Sequence, residues 1–399
     1  MFMAKSTPFF SIVIPTKNRP DYLRDSIQSV LLQDFNDYEL IVSDNFNEAP
    51  TQEVIREFSD HPKFTSYRTS EEMNMINHWE FATKKATGKY VLLLADRKVY
   101  YQGALKKIQK ELLKHPDINA FSFGTKIYND LENKMGWNVP EWQTKRYTSS
   151  ELLDNFLTEN YFGATTLDLI LPKTLNGGYK NAFASEVRAI SGQYFNNPGV
   201  TTPDYSSLFI NLTLNDEVMH IGGKIMLWQG EHTSNGRQFG AGKFQSYMKT
   251  LGEIDPYEHV PIKAPFIYNL LQHDLWKINE IFSGHIASKT INWDNYFKTN
   301  YWELLTKKSL GLSGSELAYF EEAFNISLKE NETKVTDFNK LAIEQAFHSP
   351  TSVSKLDKFK NFKYHLKDFV AHRFPNNKMA NKLVKVKYGN VLEAGGFDK

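Results

Sequence analysis

Hydrophobic positions in the first hundred or so residues form short solid runs that alternate with stripes spaced at three and four. Phe10 to Pro15 (FSIVIP) is an apolar run closed by proline, the pattern of a strand buried on both faces. Asp21 to Leu32 follows with Leu23, Ile27, Val30 and Leu31 on one stripe. Pro20 sits where a first helical turn accepts it, so the spacing predicts a helix. The alternation repeats, predicting strands at 39–43, 64–68 and 90–95 and helices at 51–59, 77–86 and 103–114. Such a βαβαβαβα order implies an α/β unit, a Rossmann-like, doubly wound and mainly parallel sheet.

From 119 to 199 the periodicity weakens, with several Trp and Tyr and the pair Gly177 and Gly178, and irregular structure with short elements is expected. Beyond about 245 apolar residues recur at three and four, as in 267–282 and 313–324, which predicts a mainly α-helical C-terminal domain. The division expected is therefore 1–245, itself split near 118, followed by 246–399. Between Lys355 and Lys387 ten Lys/Arg stand against two acids, interleaved with aromatic and aliphatic residues. That tail suits a surface-lying segment facing anionic lipid, or equally a solvated helical face.

A length of 399 residues, with 41% hydrophobic and 14% aromatic, supports more than one packed unit and excludes a disordered chain. The formal charge of +1 removes any whole-chain electrostatic case for nucleic acid. Absence of cysteine excludes disulfides, thiolate metal sites and thiol nucleophiles. The N-terminus reads as a first strand rather than a leader, and no run approaches the roughly 18 apolar residues of a membrane span. The expected location is cytoplasmic, or peripheral at the inner face of the plasma membrane.

In open parallel sheets, ligands bind beyond the carboxyl ends of the strands. Three predicted strand ends carry polar groups: Thr16-Lys17-Asn18-Arg19, Asp44-Asn45 and Asp96-Arg97-Lys98. An aspartate after a strand is commonly a turn former or a helix cap, and it is their joint placement that argues for one site.

The segments SIVIPTKNRPDYLRDSIQSVLLQ, YELIVSDN and NHWEFATKKATGKYVLLLADRKVYYQGAL, in this order, resemble family 2 glycosyltransferases of the A-type (GT-A) fold. The resemblance covers the first 110 residues well, continues thinly through GQYFNNPGVTTPDYSSLFINL and fades at GEHTSNG. It implies that 1–118 binds a nucleotide and 119–245 an acceptor. It implies that Pro15, Thr16, Asn18 and Arg19 line the nucleotide pocket with Asn45, and that Asp44 accepts a hydrogen bond from a base, commonly uracil. Family members usually carry Asp-any-Asp, whose carboxylates hold a divalent cation on the donor diphosphate. Here Asp96 remains and Lys98 takes the position of the metal-binding carboxylate. A cation can neutralise charge on a leaving diphosphate as a metal does, Arg bidentately and Lys as a point charge. Activity without metal and a manganese or magnesium site at Asp96 both stay open, and no organic cofactor is implied.

The resemblance further implies that Asp204 is the catalytic base of an inverting transfer, although Pro203-Asp204 is also an ordinary helix start. His232 and Arg237 lie in a segment that family members use to close the site, which makes them candidates for the diphosphate. Tyr128, Trp137, Trp142, Tyr147 and Tyr161 offer flat faces, most of them core material. The expected function is transfer of a sugar from a nucleotide sugar, UDP-linked by preference, to a hydroxyl of a glycan or lipid-linked glycan, as in bacterial surface-polysaccharide assembly. The alternative is a nucleotide-sugar or glycan-binding module that has lost catalysis with its metal site. No carboxylate pair suggests a glycoside hydrolase.

Overall fold

The computed structural model describes residues 7–131, 133–135, 143–158, 170–195, 197–230, 244–251, 254–309, 311–348 and 390–397. Its first elements follow the sequence pattern within about two residues at most ends. They are β1 (Phe10–Thr16), α1 (Pro20–Leu31), β2 (Tyr38–Asp44), α2 (Ala49–Glu57), β3 (Phe64–Arg68), α3 (Met75–Thr83) and β4 (Tyr90–Leu93). Strands β3, β2, β1 and β4 lie side by side and parallel, with Thr16 in register with Asp44. Arg68 is in register with Asp44 on the other side. Alternation within β1 explains why both faces are covered. Phe10, Ile12 and Ile14 enter one apolar cluster with Leu23, Ile27 and Val30 of α1, whereas Val13 enters another with Ile76 and Trp79 of α3.

A short strand, β5 (Lys98–Tyr100), follows β4 and precedes α4 (Ala104–Lys114). The rest of the sheet comes from the segment whose periodicity is weak. It contains β6 (Ala120–Asn129), β7 (Lys134–Met135), β8 (Lys145–Thr148), α5 (Ser149–Thr158), β9 (Gly177–Lys180), α6 (Asn181–Ser191), α7 (Pro203–Leu214) and β10 (Glu217–Trp228). Strand β9 runs antiparallel between β4 and β6, and β10 runs parallel to β6 and antiparallel to β5. Sheet order on the main path is β3-β2-β1-β4-β9-β6-β10-β5, ten strands in all among the described residues once β7 and β8 are added. The Gly177-Gly178 pair makes the insertion of β9 feasible. A Cβ on Gly178 would lie 2.6 Å from Leu92 Cδ2 and 2.7 Å from Phe121 Cζ, so a side chain there would force the strands apart.

The helical part comprises α8 (Phe244–Leu251), α9 (Ile267–Ile281), α10 (Trp293–Ser309), α11 (Gly314–Glu330) and α12 (Lys340–His348). It is mainly α-helical, as the spacing predicts. The change of secondary structure near 245 does not interrupt the packing. The cluster holding Val13 and Trp79 continues through Leu208 and Phe209 of α7 to Leu271 and Leu275 of α9, Phe297 of α10 and Phe324 of α11. A last short helix, α13 (Val391–Ala394), returns to the α/β part. There Val391 and Ala394 meet Val99, Tyr101 and Leu227, and Gln102 N donates to Gly395 O at 2.9 Å. No helix among the described residues is long and apolar enough to cross a membrane. The basic tail at 355–387 lies outside the described residues.

Candidate active site

The first two strand ends are stitched together by side chains that replace regular structure. Asn18 takes a left-handed φ of 51°, and its amide donates to Asn47 Oδ1 at 2.5 Å. Its Oδ1 accepts from Glu48 N at 2.9 Å, while Asn47 Nδ2 donates to Thr16 O at 3.2 Å. Asparagine tolerates that backbone region, which is why it turns the chain here. The loops after β1 and β2 therefore form one ledge along the carboxyl edge of the sheet, with Pro15 buried in the strand below it.

Asp44 is buried in this ledge and accepts from Asn47 N at 2.6 Å on Oδ1 and from Arg68 Nη1 at 2.7 Å on Oδ2. Arg68 ends β3 and its guanidinium lies 4.9 Å from the ring centroid of Phe46, an exposed residue. Asn45 is committed to the chain itself. It donates from Nδ2 to Met73 O and accepts at Oδ1 from Met73 N, each at 2.8 Å, which fixes the segment before α3. Beneath them His78 Nε2 meets Ser43 Oγ at 2.9 Å, and burial pushes the imidazole down to about 4, so it is neutral.

At the third strand end Asp96 is buried. Its Oδ2 accepts from Thr16 Oγ1 at 3.0 Å, and Arg19 Nη1 sits 3.1 Å from Oδ1 and 3.4 Å from Oδ2. Thr16, Arg19 and Asp96 thus form one bonded group although nearly eighty residues separate them in sequence. Arg97 Nη1 donates to Gly230 O at 2.7 Å, and Lys98 Nζ donates to Leu175 O at 3.0 Å. Both cations face the Trp228 ring, at 5.6 and 5.2 Å from its centroid, and Lys98 is buried at the start of β5. The end of β10 is pinned over α1: Gln229 Nε2 donates to Asp25 Oδ2 at 3.0 Å, and Asp130 accepts from Gly230 N and Tyr22 OH. His232 and Arg237 follow directly in sequence and lie outside the described residues.

Both oxygens of Asp96 are engaged by Thr16 and Arg19, and the next two side chains are cations. Among the described residues no group of three or more His, Asp or Glu is placed to hold a metal.

Asp204 occupies the first turn of α7 and is partly exposed. It connects to the cationic side of the site through one bonded path. Lys98 holds the carbonyl of Leu175 in the turn Thr174–Asn176, Thr174 N donates to Ser207 Oγ at 3.4 Å, and Ser207 Oγ donates to Asp204 O at 2.8 Å. Lys173 Nζ lies 5.0 Å from the Tyr205 ring centroid in the same region. Of the aromatic candidates, Tyr128 is core and donates to Asn133 Oδ1 at 3.2 Å, while Tyr147 is half-buried beside Lys145. Trp137, Trp142 and Tyr161 lie outside the described residues.

Sequence reasoning did not single out Arg68 or Asn47. Arg68 was within reach of the strand-end rule, since it closes the third parallel strand. Glu80 was also missed: from α3 it accepts Tyr194 N and Phe195 N at 2.9 Å each, and Arg188 Nε at 2.8 Å, anchoring the segment that leads toward Asp204.

A doubly wound sheet with Asp44 and Asp96 at the ends of the two strands that flank β1, extended by an antiparallel β9 and a helix carrying a carboxylate, is the A-type glycosyltransferase fold. Residues 11–167 match the family described as Glycosyl transferase family 2. Among curated proteins, the chain is 29% identical over 121 residues to Protein CgeD of Bacillus subtilis (strain 168), covering 28% of each. It is 30% identical over 110 residues to the GalNAc(5)-diNAcBac-PP-undecaprenol beta-1,3-glucosyltransferase of Campylobacter jejuni, covering 26% of this chain and 34% of that one. The chain thus spans about a third or less of the length of these two relatives. Among solved structures, S. aureus TarS 1-349 in complex with UDP-GlcNAc is similar over 91% of this chain and 80% of that one, at 13% identity and a TM-score of 0.43. A second structure of S. aureus TarS 1-349 is similar over 83% of this chain and 93% of that one, at 14% identity and a TM-score of 0.45.

Proposed function

We propose that the protein is an inverting glycosyltransferase that moves a sugar from a UDP-sugar to a hydroxyl of a glycan in surface-polysaccharide assembly. The observation that carries this reading is the meeting of the Thr16–Arg19–Asp96 group and the Asp44–Arg68 pair on one sheet edge. Uracil presents a ring N–H between two carbonyls. An aspartate that accepts, next to an arginine that donates, complements an N–H and its neighbouring carbonyl, whereas cytosine lacks that N–H. Pro15, Thr16, Asn18 and Arg19 border the base and ribose, with Asn45 holding the floor.

In the reaction the acceptor oxygen attacks the anomeric carbon and Asp204 takes its proton. The bond between that carbon and the diphosphate oxygen breaks, and the electron pair leaves with UDP. Direct displacement from the opposite face inverts the centre. Arg97 and Lys98, aided by Arg19, receive the negative charge of the leaving group, so the reading needs no divalent cation. The name of the Campylobacter jejuni relative supports a lipid-linked acceptor, and with it work at the inner face of the plasma membrane.

Release of UDP from a panel of UDP-sugars, in the presence of chelator and with lipid-linked or free glycan acceptors, tests the proposal. Asp204→Asn should lower kcat at least 100-fold with UDP affinity kept. UDP binding with no turnover on any donor or acceptor would instead identify a module that binds without catalysis.

A further inference from the structure

Asp274 on α9 is a carboxylate without solvent contact that the reaction above does not use. It takes four hydrogen bonds from two consecutive residues that lead into α7. Thr201 N at 2.6 Å and Thr201 Oγ1 at 2.9 Å reach Oδ1, while Thr202 N at 2.9 Å and Thr202 Oγ1 at 2.6 Å reach Oδ2. Two further ties arrive from the same side. Tyr247 OH donates to Thr201 O at 2.7 Å, and a ring nitrogen of His273 donates to Gly199 O at 2.9 Å. All of them come from beyond residue 244 and grip Gly199, Thr201 and Thr202, just before Pro203 and Asp204.

The start of α7 shows what this grip displaces. Thr202 is the N-cap, a position where a threonine hydroxyl ordinarily bonds to a first-turn amide. Here the Thr202 side chain makes no capping bond and is turned to Asp274 instead. Burying a carboxylate also costs free energy, and burial pushes Asp274 up to about 7 against the pull of its four donors. A local rule set aside beside a buried acid is the pattern of a place where geometry takes precedence over stability. Asp204 shares that neighbourhood. The Tyr247 hydroxyl is pushed up by burial first and then by the negative charges of Asp204 and Asp274, so one phenol feels both acids.

We propose that Asp274 is a positioning residue for Asp204: from the helical unit it fixes the first turn of α7 and sets where the catalytic carboxylate stands. This rests on Asp204 being the general base. The helical unit then shapes the catalytic centre through the first turn of α7. A misplacement of about 1 Å at a catalytic group costs on the order of 100-fold in rate, which sets the size of the expected effect.

The test uses the full chain and the UDP-sugar it turns over, with kcat, donor KM, UDP affinity by calorimetry and Tm measured for each variant. Asp274→Asn should lower kcat about 100-fold while donor KM and UDP affinity stay within about twofold. Added to Asp204→Asn it should cost nothing more, because both act through one group. If Asp274→Asn fails to fold, the pair Thr202→Val and Thr202→Ser decides: Val should lose about tenfold in kcat and Ser, which keeps the hydroxyl, should stay near wild type. An Asp274→Asn enzyme with wild-type kcat overturns the proposal. So does a loss of kcat, UDP affinity and Tm together, or equal behaviour of Thr202→Val and Thr202→Ser. Wild-type turnover in Asp204→Asn overturns the base assignment itself, and is told apart by that single variant.

Discussion

At the residue scale, the site rests on acids whose partners lie on other strands. Asp44 was legible because it follows an apolar run at a strand end, but its partner was not, since nothing in a linear sequence pairs Asp44 with Arg68 across a strand boundary. Asp44→Asn keeps the shape and removes the charge, so UDP affinity should fall about 10- to 100-fold, measured by calorimetry at constant salt. Asp274 left no signal either: it sits more than seventy residues from Thr201 and Thr202, in a helix whose spacing says only that one face is buried. Two buried histidines give a pH prediction. Burial pushes His78 and His220 each down to about 4, so between about 6.5 and 4 the unfolded chain binds protons that the folded chain refuses. Each therefore contributes stability that is present above the unfolded value and is lost as pH falls through that interval. Asp274, raised to about 7, has the opposite sign, its contribution weakening stability as pH rises from about 4 to 7. Tm measured from pH 8 to 4 should accordingly lose less on acidification in His220→Asn than in wild type. Equal losses would mean that His220 is protonated in the fold.

At the scale of elements, β1 to β4 and their helices were legible because buried parallel strands and amphipathic helices write strong patterns. Strands β6 and β10 were not. β10 carries Gly222 and Gly223 in its middle, and its register against β6 shifts between Ile221 and Met226, so the alternation is broken where a reader needs it. β5 is three residues long, below the length at which a pattern exists, and it buries Lys98 at its start. The closest fit among elements is β9. Gly178→Ala places a methyl against Leu92, Phe121 and the Val91 carbonyl, and should cost about 1–3 kcal/mol in denaturant unfolding. A neutral result would mean that β4 and β6 can part without cost.

At the scale of the whole molecule, the change in secondary structure near 245 was legible and the continuity of the core across it was not. Residues from β1 to α11 share one apolar cluster, Asp274 grips the start of α7, and α13 closes on β5 and β10. A chain ending at 245 would expose the α7 face that α9 covers. It should be recovered as insoluble or non-cooperatively folded protein, while the full chain unfolds in one transition by circular dichroism and calorimetry. The proposed function requires that the joined strand ends hold a uridine nucleotide with cationic side chains rather than a metal on its diphosphate. The measurement that tests it most directly is calorimetric titration of UDP, GDP, CDP and dTDP into the purified protein, with manganese and with chelator. Selective UDP binding that survives chelator and weakens in Asp44→Asn is the expected result. Binding seen only with manganese, or no binding of any nucleotide, would contradict it.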